Sequence, residues 1–374
     1  MSSGLVGESR RSVAVVLGTR PEIIKLARII QLLGDRATVV HTGQHYDASL
    51  SSSFFEEHGL ADPDVQLGVG GLRRGGQVGQ ALADLDGLFD RHRPDVVIVQ
   101  GDTNATLAGA LAANSASIPL FHVEAGLRSY DSAMPEEHNR VLTDHVSDVL
   151  CAATKLNADN LALEGLADRA VITGNTVVEA VARQLPAAPD RRGVLERYGC
   201  DDAGYVLATI HRPENTDDPE KLGDILRALG ACGRQVLLPL HPRTRGAIER
   251  HGLQPLTDGL HVVDPLGSRA FLALANHAAL LVSDSGGVQE ECTVLKRPLV
   301  VVRNSTERPE SLERFARLVQ PDALLGAITE VLEAGPEHLA ELADLPSPYG
   351  DGFASERIVA HVLRIADDDR EVEA

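Results

Sequence analysis

Ser12-Val13-Ala14-Val15-Val16-Leu17-Gly18-Thr19-Arg20-Pro21-Glu22-Ile23-Ile24-Lys25 begins as a short apolar strand, turns at a glycine and enters a helix. Pro21 suits the first helical position, and free backbone N–H groups at such a helix start favour an anion. Helical spacing of apolar residues continues over Pro21–Leu33, and a second apolar run follows at Thr38–Thr42. The same alternation recurs along the chain. Asp95–Gln100, Pro119–Val123, Val149–Ala152 and Ala170–Thr173 read as strands, with Gln77–Arg91, Thr103–Asn114 and Glu136–Val146 as helices. Short apolar runs separated by helices are the mark of a parallel sheet covered on both faces.

The pattern pauses at Ala182–Tyr198, which contains Pro186, Pro189 and several charges and reads as a linker with a short helix. It resumes with strands at Tyr205–Ile210, Gln235–Leu240, Leu260–Val263, Ala279–Val282 and Leu299–Val302. Helices at Asp218–Ala231, Thr244–His251, Ser268–Asn276 and Ser285–Val294 lie between them. The expected fold is α/β, with two Rossmann-like, doubly wound parallel-sheet domains facing a central cleft. The domains are expected at 1–182 and 183–353, with a helix at about 354–367 packing back on the first and a disordered acidic tail at 368–374. A length of 374 residues agrees with two cores of roughly 150–200 residues each.

Composition narrows the partners. With 35 Lys and Arg against 54 Asp and Glu, the net charge is −19, which disfavours nucleic acid and anionic membrane surfaces. Cys151, Cys200, Cys232 and Cys292 are widely spaced and read as reduced thiols. No secretory leader or spanning segment is legible, so a cytoplasmic location is expected.

Ligands of open α/β sheets bind beyond the carboxyl ends of strands. There the sequence places Arg20 and Lys25, then Gly101-Asp102-Thr103-Asn104, then His122-Val123-Glu124-Ala125-Gly126-Leu127-Arg128. Taken alone, Asp102 reads as a helix N-cap. Glu136 and Glu137, in the first turn after Pro135, read as dipole stabilisers. Asp102, Glu124 and Glu136 together would supply paired carboxyl groups for acid/base chemistry if the fold joins their loops. In the second half, His211 and Arg212 end one strand, and His241 ends the next. The run Ser283-Asp284-Ser285-Gly286-Gly287 then opens a helix with paired glycines suited to a diphosphate, with Glu290 and Glu291 one turn on. No G-x-G-x-x-G, Walker A, metal-ligand or nucleophile-elbow pattern is present, so no metal or dinucleotide cofactor is expected.

Taken in order, these motifs resemble the non-hydrolysing UDP-N-acetylglucosamine 2-epimerases. The similarity runs from GTRPEIIKL at 18–26 through TGQHYD, GDTNAT, HVEAGLRS, PEEHNR, TGNTVVEA, HRPEN, HPRT and SDSGGVQEE to STERPE and ASERI, nearly the whole length. The resemblance implies a GT-B-like fold and a homodimer, with no redox cofactor. It also implies interconversion of UDP-GlcNAc and UDP-ManNAc by elimination of UDP, through a 2-acetamidoglucal, and re-addition. By position it assigns Asp102, Glu124, Glu136 and His211 to catalysis, and Arg20, Lys25, Arg140, Arg212 and His241 to substrate. Ser285, Gly286 and Gly287 would hold phosphate, Glu291 the ribose, and Phe271 would lie near uracil.

Bound UDP-sugar is expected to close the lobes. Gln44 and His45 match a regulatory nucleotide-sugar site found in many relatives. The chain departs from that pattern at Asp47, at Leu72-Arg73-Arg74-Gly75-Gly76 and at Ser311-Leu312-Glu313-Arg314-Phe315. A hydrolytic variant, a GT-B glycosyltransferase and an inactive UDP-sugar sensor are the competing expectations. The three carboxylates and the PEEHNR motif favour the epimerase.

Overall fold

The computed structural model describes residues 12–44 and 54–368. The chain divides into two units, one running to Thr176 and resuming at Gly352, the other spanning Val177–Asp351.

The first unit holds β1 (Val13–Leu17), α1 (Arg20–Leu33), β2 (Ala37–His41), β3 (Val65–Gln66), α2 (Arg74–His92), β4 (Val96–Gln100) and α3 (Asn104–Ser115). These are followed by β5 (Leu120–Ala125), α4 (Pro135–Val146), β6 (Val149–Ala152), α5 (Lys155–Leu163) and β7 (Ala170–Ile172). The seven strands are parallel in the order β3-β2-β1-β4-β5-β6-β7. Every residue of β1 and β4 is buried, as strands covered on both faces must be. One face packs Val13, Val15 and Leu17 against Leu26 and Ile29 of α1. The other packs Val16, Val97 and Val99 against Leu85 of α2 and Ala108 of α3.

The second unit holds α6 (Val177–Gln184), α7 (Ala188–Arg197), β8 (Tyr205–Thr209), α8 (Pro213–Thr216), α9 (Pro219–Ala231), β9 (Gln235–Pro239) and α10 (Pro242–His251). After these come β10 (His261–Val263), α11 (Ser268–His277), β11 (Leu280–Ser283), α12 (Gly286–Leu295), β12 (Leu299–Val302), β13 (Ala316–Val319) and α13 (Leu324–Ala343). Its six parallel strands run β10-β9-β8-β11-β12-β13. The last helix, α14 (Ala354–Asp368), returns to the first unit. There Ile358 and Val362 join the α1 face of the core, and Glu356 accepts two hydrogen bonds from Arg28, at 2.9 and 3.1 Å.

Three features differ from the sequence expectation. β3 and β13 were not anticipated. Both are edge strands; β3 is two residues long, and β13 carries exposed Arg317 where a fully apolar run marks a central strand. The expected linker is largely helical, because Pro189 lies in the first turn of α7, where its missing N–H costs nothing. Finally, α6 lies with the second unit, so the division falls at Thr176. Among the described residues, no helix is long and apolar enough to cross a membrane.

Strand order fixes where chemistry can occur. In each unit the sheet reverses direction of growth at one place, between β1 and β4 in the first and between β8 and β11 in the second. Loops diverge there and leave a crevice at the carboxyl edge.

Candidate active site

At the first reversal, the Gly18–Thr19 turn after β1 meets the Gly101–Thr103 turn after β4. Gly18 permits the approach, since a Cβ there would come within 2.3 Å of Thr42 Oγ1 and 2.7 Å of Ala105 Cβ. Glu22, buried in the first turn of α1, ties the two turns together. Its Oε2 accepts from Gly18 N–H at 3.0 Å and Thr19 Oγ1 at 2.8 Å, and its Oε1 accepts from Thr103 Oγ1 at 2.9 Å and lies 3.1 Å from Thr106 Oγ1. Burial pushes the Glu22 carboxyl up to about 7, against the lowering effect of those donors. A group whose folded pKa is raised binds protons that the unfolded chain has released. Stability therefore falls as pH rises from about 4.5 to about 7. Urea melts of Glu22→Gln across that range are expected to lack this slope, and an unchanged slope would refute the assignment.

Glu124 sits on β5 with φ +66°, at the point where the β5–β6 ladder skips from Val123 to Ala125. Such a conformation costs a non-glycine residue about 1–3 kcal/mol and is held only by surrounding structure. The bulge takes Glu124 out of the ladder. Lys25 Nζ donates to Glu124 Oε2, and Gln100 Nε2 donates to the same oxygen at 3.0 Å. All three side chains are buried.

Asp102 is not the N-cap of α3. Thr103 is, accepting from Thr106 N–H at 3.1 Å. The Asp102 carboxylate instead accepts from Arg140 on α4, whose other arm donates to Glu137. Glu137 also accepts from Ser129 N–H at 3.0 Å, Ser129 Oγ at 2.8 Å and Tyr130 N–H at 3.0 Å, so it anchors the 129–130 loop. Its neighbour Glu136 is exposed and has no hydrogen bond or ion pair among the described residues. Thus the two acids of the Pro135 helix start divide their work, one bound to the scaffold and one accessible. Arg128 also belongs to the scaffold, clamping Glu164 at 2.6 and 2.7 Å and Asp144 at 2.7 Å. Asp144 in turn holds His122 at 2.6 Å. Burial raises the Asp144 carboxyl, but His122 and Arg128 outweigh it and hold it below the ordinary range.

Arg20 is exposed, with its guanidinium 5.6 Å from the Phe54 ring centroid. Gln44 Oε1 accepts from Ala105 N–H at 3.0 Å, occupying a donor in the first turn of α3. His45 and Asp47 lie outside the described residues. Arg74, in the divergent 72–76 stretch and the first residue of α2, donates to Pro135 O at 2.9 Å and Asn139 Oδ1 at 2.8 Å. In the second unit, the divergent 311–315 stretch ends with Phe315 buried in the core.

At the second reversal Thr209 pairs with Ser283, so the residues just beyond them meet. Asp284 is fully buried and His211 Nδ1 lies 2.9 Å from its Oδ1. Asp284 also accepts from His211 N–H at 3.0 Å, Arg212 N–H at 2.9 Å and Asn215 Nδ2 at 3.1 Å. Burial raises its carboxyl, and the contacts to His211, Arg212 and Asn215 reverse this and hold it low. His211 itself is 39% exposed on its side chain. The His241 ring stands 5.5 Å from that of His211, and its Nδ1 caps α10 by accepting from Arg243 N–H at 3.1 Å.

Ser285 precedes α12, whose first residues are Gly286 and Gly287. Gly286 backs onto Arg308, since a Cβ would come within 2.7 Å of Nη1. Arg308 is part of a buried ionic chain with Glu290, Glu307 and Arg303. Glu291 and Phe271 are half-buried, with Phe271 leaning on the core. Among the described residues no group of three or more His, Cys, Asp or Glu could hold a metal ion.

The sequence profile of the UDP-N-acetylglucosamine 2-epimerases matches residues 34–363. The chain belongs to that family. It is 38% identical over 361 residues to a UDP-N-acetylglucosamine 2-epimerase of Methanococcus maripaludis, covering 93% of this chain and 97% of the relative. It is also 38% identical over 365 residues to the UDP-2,3-diacetamido-2,3-dideoxy-D-glucuronate 2-epimerase of Pseudomonas aeruginosa, covering 94% and 99%. Among solved structures it superposes on the UDP-GlcNAc 2-epimerase of Methanocaldococcus jannaschii, a complex with UDP-GlcNAc and UDP. The TM-score is 0.84 at 37% identity, covering 94% of this chain and 99% of that one. The GT-B-like architecture of two parallel-sheet α/β domains is thereby shared. As a member of this family the chain is an isomerase of nucleotide sugars.

Set against the family motifs, the first unit brings Lys25 to Glu124 and Arg140 to Asp102, and leaves Glu136 and Arg20 exposed. The second gathers His211, Arg212 and His241 around the β8 end. Two residues at the site escaped sequence reasoning. In sequence Asp284 is part of a glycine-rich turn, yet its carboxylate orients His211, and only the β8–β11 pairing brings the two together. Glu22 carries no role of its own in the GTRPEIIKL motif. The signal that it is more is the threonine at 103, invisible until β1 and β4 are adjacent.

Proposed function

We propose that this chain interconverts UDP-GlcNAc and UDP-ManNAc by elimination and re-addition of UDP. The observation that carries the reading is the buried Glu124, held at a strained bulge against Lys25, beside a turn bearing Asp102. Carboxylates fixed this way can exchange a proton with a carbon acid without reorganising. A base takes the C2 proton while the C1–O bond to UDP breaks, leaving 2-acetamidoglucal and UDP. A proton then reaches C2 from the opposite face, and a phosphate oxygen of UDP rebonds to C1. Two acid/base groups are needed, and Asp102, Glu124 and exposed Glu136 are the candidates.

Arg20 and Lys25 would balance diphosphate charge. Arg140 is already engaged by Glu137 and Asp102, so its work is to position Asp102. In the second unit, His211 and Arg212 would act at the diphosphate, as would the α12 N-terminus with Ser285, Gly286 and Gly287. Glu291 would bind ribose, and Phe271 would lie at uracil. His241 would support His211. No metal or redox cofactor enters the scheme. A homodimer in the cytoplasm completes the proposal, and its four free thiols are in keeping with a reducing compartment.

The test is incubation with UDP-GlcNAc in D₂O, followed by NMR. Deuterium at C2 with UDP-ManNAc formation is expected. Free ManNAc with UDP would instead show hydrolytic release, and an unchanged sugar would refute the assignment. The diacetamido-glucuronate nucleotide of the Pseudomonas relative is the second substrate to assay, because that relative is as similar to this chain as the Methanococcus one.

A further inference from the structure

Glu22 is an acid that the proposed chemistry does not use, yet it is almost wholly buried, at 1% exposure. Among the described residues its hydrogen-bond partners are one backbone amide and three threonine hydroxyls, none of them charged. A carboxyl group desolvated without a cation is costly, and helix packing alone would be met better by an apolar side chain. Its partners lie on two different turns. Gly18 and Thr19 precede Arg20 and Lys25, whereas Thr103 directly follows Asp102. Thr103 also caps α3, so the same hydroxyl joins the helix start to Glu22.

A second route leads to Glu124. Thr106 Oγ1 lies 3.1 Å from Glu22 Oε1 and 2.7 Å from Gln100 O, and the Gln100 side-chain amide donates to Glu124 at 3.0 Å. Thr106 has a single hydroxyl hydrogen. With that hydrogen on the shorter bond to Gln100 O, a protonated Oε1 of Glu22 can donate to Thr106 Oγ1. Acid, hydroxyl and carbonyl then form one directed chain ending at the residue that contacts Glu124.

We propose that Glu22 is a positioning residue, bracing the turn that leads into the helix of Lys25 against the turn that carries Asp102 and so setting Glu124 and Asp102. The kinetic part of the inference rests on the proposed epimerase reading, whereas the bracing itself does not. Two measurements separate them. In hydrogen exchange, Glu22→Ala is expected to lose protection at 18–25 and 101–106 while the rest of the chain exchanges as before. In Glu22→Gln the amide can donate to Thr106 while the carbonyl accepts from Gly18 and Thr19, so protection is expected to return.

Under turnover, Glu22→Ala is expected to lower kcat about ten- to a hundred-fold with little change in KM, as a displacement near 1 Å does. Glu22→Gln should recover most of it. If Glu22→Ala does not fold, Thr19→Val, which removes one donor at nearly constant volume, is expected to show the same localised exchange. Wild-type exchange at both turns in the variant that folds would overturn the bracing. Localised exchange with an unchanged kcat would overturn the positioning role. A wild-type enzyme inert toward UDP-GlcNAc would refute the epimerase reading, and the exchange data would still decide the brace.

Discussion

Glu124→Gln is expected to lose about 10²–10⁴ in kcat while still binding UDP. The amide oxygen of glutamine can accept from Lys25 and Gln100 as the carboxylate does, so the bulge and its neighbours should persist. What the amide cannot do is take or return a proton. UDP binding should survive because the groups proposed for ribose and base, and those proposed for phosphate other than Arg20 and Lys25, lie on α11, on α12 and beyond β8, in the other unit. Asp102→Asn is expected to behave alike, since Arg140 remains engaged by Glu137. Titration calorimetry with UDP and deuterium uptake at C2 check the two halves of the statement. An active Asp102→Asn/Glu124→Gln double variant would refute the carboxylate assignment.

The second large effect is expected at Asp284. Removing a buried carboxylate that organises a polar cluster costs about 3–5 kcal/mol, so Asp284→Ala should destabilise the second unit by that order. The loss strands the His211 and Arg212 amides and frees the imidazole. Asp284→Asn is the finer probe. Its oxygen can still accept from the backbone, but its NH₂ group would face His211 Nδ1 and impose the other tautomer. In His–Asp arrangements elsewhere such a swap costs about 10⁴ in kcat, and a drop of at least about 10² is expected here. Because contacts hold this carboxyl low, its contribution to stability is present above the ordinary carboxylate pKa and fades as pH falls through the lowered value. Acid melts of Asp284→Asn should lack that component. A variant with wild-type kcat would show that the imidazole needs no orientation.

The expectations that stood were those resting on local pattern. Central strands such as Val96–Gln100 are apolar on both faces, and helices such as Arg20–Leu33 repeat apolar residues at helical spacing. Both periods are visible without tertiary structure. The edge strands Val65–Gln66 and Ala316–Val319 were not legible, because the first is two residues long and the second carries exposed Arg317 in mid-run. The N-cap of α3 is Thr103, where sequence alone points to Asp102. A capping residue is identified by what its side chain accepts, and Thr103, one residue later, was equally suited.

From the order of residues alone came the two α/β halves, the family, and the polar residues that end each strand. Those are properties of neighbours in sequence, where spacing and residue type are sufficient. Which of those polar residues touch was decided by the order of strands in the sheets. That order places β4 beside β1 and β11 beside β8, and so sets Glu22 against Thr103 and Asp284 against His211. Eighty-one residues separate the first pair and 73 separate the nitrogen and carboxylate of the second. Over such distances only the parallel pairing of strands, with its crossover helices, can bring the groups within hydrogen-bonding reach.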